Sequence, residues 1–217
     1  MPCIRTSPSG STCSAVPDRF HPKLRPFPSL RAARADFESL LQRGGDLEMA
    51  HFRRVRAFDL RVQDAALSRY KNKKGMYKRC GHQHRLKISA LEKGLAGLRL
   101  AEHRLLKCRS FEQIHQQVSE VAGRVVGLGE LWAYDTAVRI GMANNLAPKD
   151  IFLHAGTRQG AANLGFVVQG KRSLSLAEVF ARYPELQGSS ADDLESFFCV
   201  YKRHLTLFRR PAPRSCN

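Results

Sequence analysis

The chain has 217 residues, enough for one domain with a short appendage. An apolar fraction of 43% excludes disorder throughout, and no apolar run approaches the roughly 18 to 20 residues of a membrane helix. Lysine and arginine number 36 against 19 acidic residues, a net charge of +17, and the excess is uneven: residues 1–110 hold 24 basic and 9 acidic side chains, residues 111–217 hold 12 and 10. A basic half joined to a near-neutral half points to a polyanion held by one face or arm, although a solvated basic surface gives the same numbers without a partner.

Residues 1–28, "MPCIRTSPSGSTCSAVPDRFHPKLRPFP", carry six prolines and no helical or strand period, which predicts a disordered basic N-terminal arm. They hold no continuous apolar block of the kind a secretory signal needs. The six cysteines (Cys3, Cys13, Cys80, Cys108, Cys199 and Cys216) form no CxxC pair, as expected of reduced thiols in a cytoplasmic protein.

An all-α domain is expected over residues 29–208, followed by a short tail, 209–217. "SLRAARADFESLLQRGG" places Leu30, Ala33, Phe37, Leu40 and Leu41 at helical spacing before a Gly-Gly stop. "DLEMAHFRRVRAFDLRVQDAALSRYK" predicts one long second helix with Asp46 as its N-cap. "YKNKKGMYKRCGHQHRLK" reads as a basic loop in which Lys71, Lys73, Lys74, Lys78 and Arg79 attract phosphates and Tyr70 and Tyr77 can stack on bases. Within that loop Cys80, His82 and His84 form C-x-H-x-H, but the paired spacing of a zinc site is missing, so neither metal nor cofactor is expected. A third helix capped by Ser89 and containing Gly94 and Gly97 follows, then a fourth capped by Ser110 and a fifth from "LWAYDTAVRIGMANNL". "DIFLHAGT" is short and partly β-like. Thr157 is expected to cap the helix after it, and two final helices close the domain. Ser190 caps the last of these before an acidic first turn, an order that complements the helix dipole.

Between the fourth and fifth helices stands "VVGLGELWAYD". A G-x-G turn between helices suits positive φ or close backbone approach, and the next helix begins with unpaired amides at the positive end of its dipole. The segment 111–146 resembles the helix-hairpin-helix motif of non-sequence-specific DNA-binding proteins, with Val125, Gly127, Leu128, Gly129 and Ala133 in the motif's places. The resemblance implies that amides around Gly127, Leu128, Gly129 and Leu131 contact the phosphates of one strand. Thr136 stands where the motif has an apolar residue, and Glu130 lies in the turn. Phe111 to Gly165 also resembles the helical base-excision glycosylases of the endonuclease III type, a DNA-repair superfamily. The aspartate and lysine that family uses are missing here: "FLHAGTR" holds no carboxylate, and Glu130, Leu131 and Trp132 follow the turn. "YDTAVRIG" with "LHAGTRQGAANLG" is similar to a bacterial family of unassigned function.

A second candidate site is Asp135, Arg139, His154, Thr157 and Arg158. Asp135 and Arg139 lie four apart on one helix face and can pair, and "HAGTR" sets a histidine beside a helix start that can hold an anion or a flipped base. The expectation is a nucleic-acid-binding protein, DNA favoured over RNA, gripping phosphates without reading sequence. The alternatives are a divergent glycosylase- or lyase-like enzyme using Asp135, His154 or Asp150, and a protein-interaction module with a basic face. No membrane partner is expected, and the sequence leaves the oligomeric state open.

Overall fold

The computed structural model describes residues 26–44 and 47–210; most of the expected arm (1–25), the expected Asp46 cap and residues 211–217 lie outside the described residues. The fold is all-α, with ten α-helices and two small antiparallel sheets of two strands each among those residues. None of these helices is long and apolar enough to cross a membrane.

The helices build two apolar clusters. Around the first pack α2 (Leu47–Arg54), α3 (Phe58–Ala66), α4 (Ile88–Leu100), α5 (Glu102–Leu106), α6 (Phe111–Ala122) and α7 (Glu130–Gly141), with Phe52, Leu91, Leu98, Trp132 and Ile140 fully buried. Around the second pack α1 (Leu30–Gly44), α8 (Ala155–Leu164), α9 (Leu176–Arg182) and α10 (Ala191–Leu205), with a sheet of β3 (Asp150–Phe152) and β4 (Ser173–Ser175). Helix α1 thus skips the intervening helices. Its Leu30, Ala33 and Phe37 form one stripe, Phe37 lies 5.5 Å from the Phe197 ring, and Tyr201 donates its hydroxyl to Asp36. The ends of the described chain join this cluster too: Phe27 lies 5.7 Å from the Tyr201 ring, and the Arg210 guanidinium sits 4.8 Å over Tyr183.

Several local expectations change. The long second helix is two helices, α2 and α3, separated by Val55–Ala57, with Ala57 extended at ψ 120°. Side chains carry this break: Arg61 Nη1 donates to the Val55 carbonyl at 3.1 Å, and Arg56 Nη1 to the Ala143 carbonyl at 3.1 Å. The first bond satisfies a carbonyl that a continuous helix would pair along its own axis, and the second ties the break to the turn after α7. The third helix starts from Lys87 rather than Ser89 and is interrupted at Ala101. Gly94 lies where α4 meets the hairpin, since a Cβ there would come within 2.8 Å of both Leu128 and Trp132.

The basic loop is largely a β-hairpin, β1 (Arg69–Lys71) with β2 (Tyr77–Arg79), pairing Lys71 with Tyr77. Asn72 holds its turn, accepting from the amides of Lys74 at 2.9 Å and Met76 at 3.0 Å. Helix α8 begins at Ala155 with His154, not Thr157, as its cap, His154 Nδ1 accepting from the Gly156 amide at 3.2 Å. The caps at Ser110 and Ser190 form as expected, each hydroxyl accepting from the amide three residues on at 3.3 Å.

Candidate functional site

The turn between α6 and α7 carries the resemblance to a helix-hairpin-helix. Apolar residues anchor it from below: Ala122, Leu128, Ala133 and Val138 are buried and Val125 is half-buried. Above them Val126 is 99% exposed, and Gly127 and Gly129 face solvent. The two glycines do different things. Gly127 has φ +97°, a conformation that strains any residue with a Cβ. Gly129 is the N-cap of α7 in ordinary extended backbone (φ −123°, ψ −174°), and a Cβ there would meet nothing within 4 Å. No side chain caps α7, so its first amides lack a side-chain partner; Leu131 is half-buried and Glu130 is exposed in the same turn. Thr136 is fully buried where the motif has an apolar residue, and its hydroxyl has no hydrogen-bond partner among the described residues. Replacing Gly127 by alanine is expected to lose about 1–2 kcal/mol of stability, and replacing Gly129 by alanine under about 1 kcal/mol, as read by urea denaturation. Equal losses would contradict this division of labour.

The β1–β2 hairpin presents Lys71, Lys73, Lys74 and Lys78 to solvent. Arg79 turns inward instead and holds the carbonyls of Gln83 (2.8 Å) and Leu86 (3.2 Å). The tyrosines are less available for stacking than the sequence suggests. Tyr70 packs against the first core, and the Tyr77 ring is covered by Arg69 at 4.3 Å and Lys71 at 5.2 Å. Fully buried Asp64 fixes the hairpin to α2 and α3, accepting from Arg69 Nε at 2.9 Å and facing His51 Nε2 at 2.9 Å. Between hairpin and α2 lies a cleft of about 190 Å³, lined by His51, Arg54, Lys71 and Lys73 with Leu47, Ala50 and Asn72, and no acid. His51 and Arg54 were not singled out from the sequence. The signal was present, because positions 47, 50, 51 and 54 share one face of a helix.

The second candidate group separates into three structural roles. Arg139, 3% exposed, donates to Glu48 Oε1 through Nε (2.9 Å) and Nη2 (2.7 Å) and to Gln83 Oε1 at 3.2 Å. Asp135 lies 3.6 Å from the same guanidinium and accepts from Gln83 Nε2 at 3.0 Å. Burial works against the Arg139 charge, but the carboxylates of Glu48 and Asp135 outweigh it and hold the guanidinium above its ordinary pKa. Burial likewise pushes the Cys80 thiol up, away from reactive thiolate.

His154 and Thr157 do come together, around a residue the sequence did not flag. His154 Nε2 contacts Glu195 Oε1 and lies 2.8 Å from Thr157 Oγ1, while Thr157 Oγ1 reaches Glu195 Oε1 at 3.0 Å. Because Nδ1 accepts the Gly156 amide, the ring proton sits on Nε2 and binds this pair rather than activating a nucleophile. Thr157 is fully buried and His154 is 3% exposed, so the trio ties α8 to α10. Arg158 does not reach Asp135; its guanidinium clamps the carbonyls of Val168, Leu153 and Lys171 at 2.5–3.0 Å. Cys80 is buried and His84 exposed, and no group of three or more His, Cys, Asp or Glu among the described residues could hold a metal ion.

Comparison with protein-family models, with curated proteins and with solved structures found no match.

Proposed function

We propose that the protein binds nucleic acid, duplex DNA first, through backbone phosphates and without sequence readout. The observation that carries this reading is the acid-free cleft between α2 and the β1–β2 hairpin, where Arg54, Lys71 and Lys73 converge beside His51. Three cations on two packed elements, with Asn72 fixing the turn between the strands, are better placed to meet phosphates than cations on a loose loop. The exposed Gly127–Gly129 turn adds a second phosphate contact, made by backbone amides at the start of α7.

Fluorescence anisotropy of a labelled duplex at several salt concentrations tests both parts. Replacing Arg54, Lys71 and Lys73 together by glutamine is expected to flatten the slope of log affinity against log salt by about 3 and to weaken binding by roughly tenfold or more. Gly129→Val leaves the backbone conformation allowed and sets branched carbons in front of the amides; an affinity loss of several-fold is expected with the fold retained. A salt slope unchanged in the triple variant would remove the cleft from the interface. Unchanged affinity in Gly129→Val would make the hairpin a packing turn only.

The glycosylase-like alternative needs a free acid or base. Asp135 is engaged by Gln83 and Arg139, His154 is enclosed with Glu195, and Asp150 is exposed on β3. No feature of this geometry favours that chemistry over phosphate binding.

A further inference from the structure

A cleft of about 210 Å³ opens between the two clusters, with α2 and α7 on one side and the start of α10 on the other. In a chain of net charge +17 its polar lining is mostly acidic: Glu48, Asp135, Asp192 and Glu195. Arg139 is the single arginine or lysine in the lining, and it is already engaged by Glu48, Asp135 and Gln83. Glu195 receives His154, Thr157 and Ser196. Asp192, in the first turn of α10, has no hydrogen bond or ion pair among the described residues. The remaining walls include Met49 and Val138, which are apolar.

Tyr134 supplies an independent observation. The residue is 2% exposed, its ring stacks on Phe152 at 5.0 Å, and it lines the cleft. Its hydroxyl has no hydrogen-bond partner among the described residues. A buried hydroxyl without a partner is unfavourable, and one beside a cleft marks where a ligand's polar atom belongs. Burial, then the charges of Glu195, Asp192 and Asp135, push its phenol above the ordinary value, so the ring carries its proton and can donate it.

We propose that this cleft binds a small organic cation, a primary ammonium or guanidinium group on a short aliphatic stem. The charged head sits between Asp192, Glu195 and the Tyr134 hydroxyl, and the stem lies on Met49 and Val138. An anion would face four carboxylates, Asp192 among them without a bonded partner, and a metal ion is disfavoured because no suitable cluster of ligands forms among the described residues. This site does not rest on the nucleic-acid reading and uses none of its residues.

Butylammonium chloride titrated into the full chain, followed by amide chemical shifts, tests the proposal. Saturable shifts are expected at residues 134–139 and 192–196. Asp192→Asn, at a half-exposed position, is expected to weaken binding by about tenfold or more, the loss of one charge-assisted hydrogen bond. Tyr134→Phe keeps the ring packing and is expected to weaken it several-fold, while Asp192→Asn binds duplex DNA like wild type. Absence of saturation, equal affinity in both variants, or displacement of the amine by magnesium chloride or sodium acetate at the same residues would each overturn the proposal.

Discussion

Replacing Arg139 by alanine is expected to remove about 3 kcal/mol of folding stability. The guanidinium is 3% exposed and neutralises two carboxylates, Glu48 at 2.7 Å and Asp135 at 3.6 Å. Removing it spares its own desolvation penalty but leaves both negative charges in place, and an uncompensated charge in a partly buried site usually costs about 3–5 kcal/mol. The lower end applies because Glu48 and Asp135 keep 25% and 14% of their side-chain surface and can hydrate from the cleft. Lost packing adds to the electrostatic term, so Arg139→Met, which keeps most of the stem, isolates the charge. Combining Arg139→Met with Glu48→Gln should recover part of the loss, since one of the two stranded charges is then gone. Urea denaturation of the three variants decides the matter. A loss under about 1 kcal/mol in Arg139→Ala would mean the network contributes little to the fold and Arg139 is held for another purpose.

Much of the helical framework is legible in the sequence where the physics is local. Ser110 and Ser190 cap their helices because a hydroxyl three residues upstream of an amide needs no distant partner. The apolar stripe of α1 likewise announces a buried face. Its destination is not announced, because Phe37 meets Phe197, 160 residues away in sequence, and spacing carries no information about partners. At the break Val55–Ala57, Arg56 reaches Ala143, again a distant carbonyl. The four strands have three residues each, too short for a period of two to show.

The candidate sites divide in the same way. The lysines of the β1–β2 hairpin are visible as a charge run, whereas Arg54 joins them only when α2 folds against the hairpin. His154 attracts notice in "HAGTR", but its role as cap and its bond to Glu195, 41 residues on, turn a candidate base into a structural tie. The acidic cleft is the extreme case. Its four carboxylates come from three helices, and each alone looks like an ordinary surface acid or cap.

The position of α10, which forms one wall of that cleft, makes the second large prediction. Gly160 on α8 faces α10 so closely that a Cβ would stand 2.1 Å from the Phe198 carbonyl oxygen, 2.8 Å from its carbon and 3.1 Å from its Cα. All three are backbone atoms, so no rotamer change relieves the overlap and the helices must separate. Alanine improves helix propensity over glycine by about 1 kcal/mol, which would stabilise α8 in isolation. Overpacking ordinarily costs about 1–3 kcal/mol, and more where backbone must move. Separation also strains the His154–Thr157–Glu195 tie and loosens the contact of α8 with fully buried Phe197 and Phe198. The clash therefore wins, and Gly160→Ala is expected to lose about 2–3 kcal/mol net, lowering the melting temperature by roughly 4–12 °C for a chain of this size. Gly129→Ala, where a Cβ meets nothing, serves as the matched control and should melt within about 2 °C of wild type. Wild-type melting in Gly160→Ala would mean that α8 and α10 cross elsewhere, which would displace Asp192 and Glu195 from the cleft and withdraw the cation site with them.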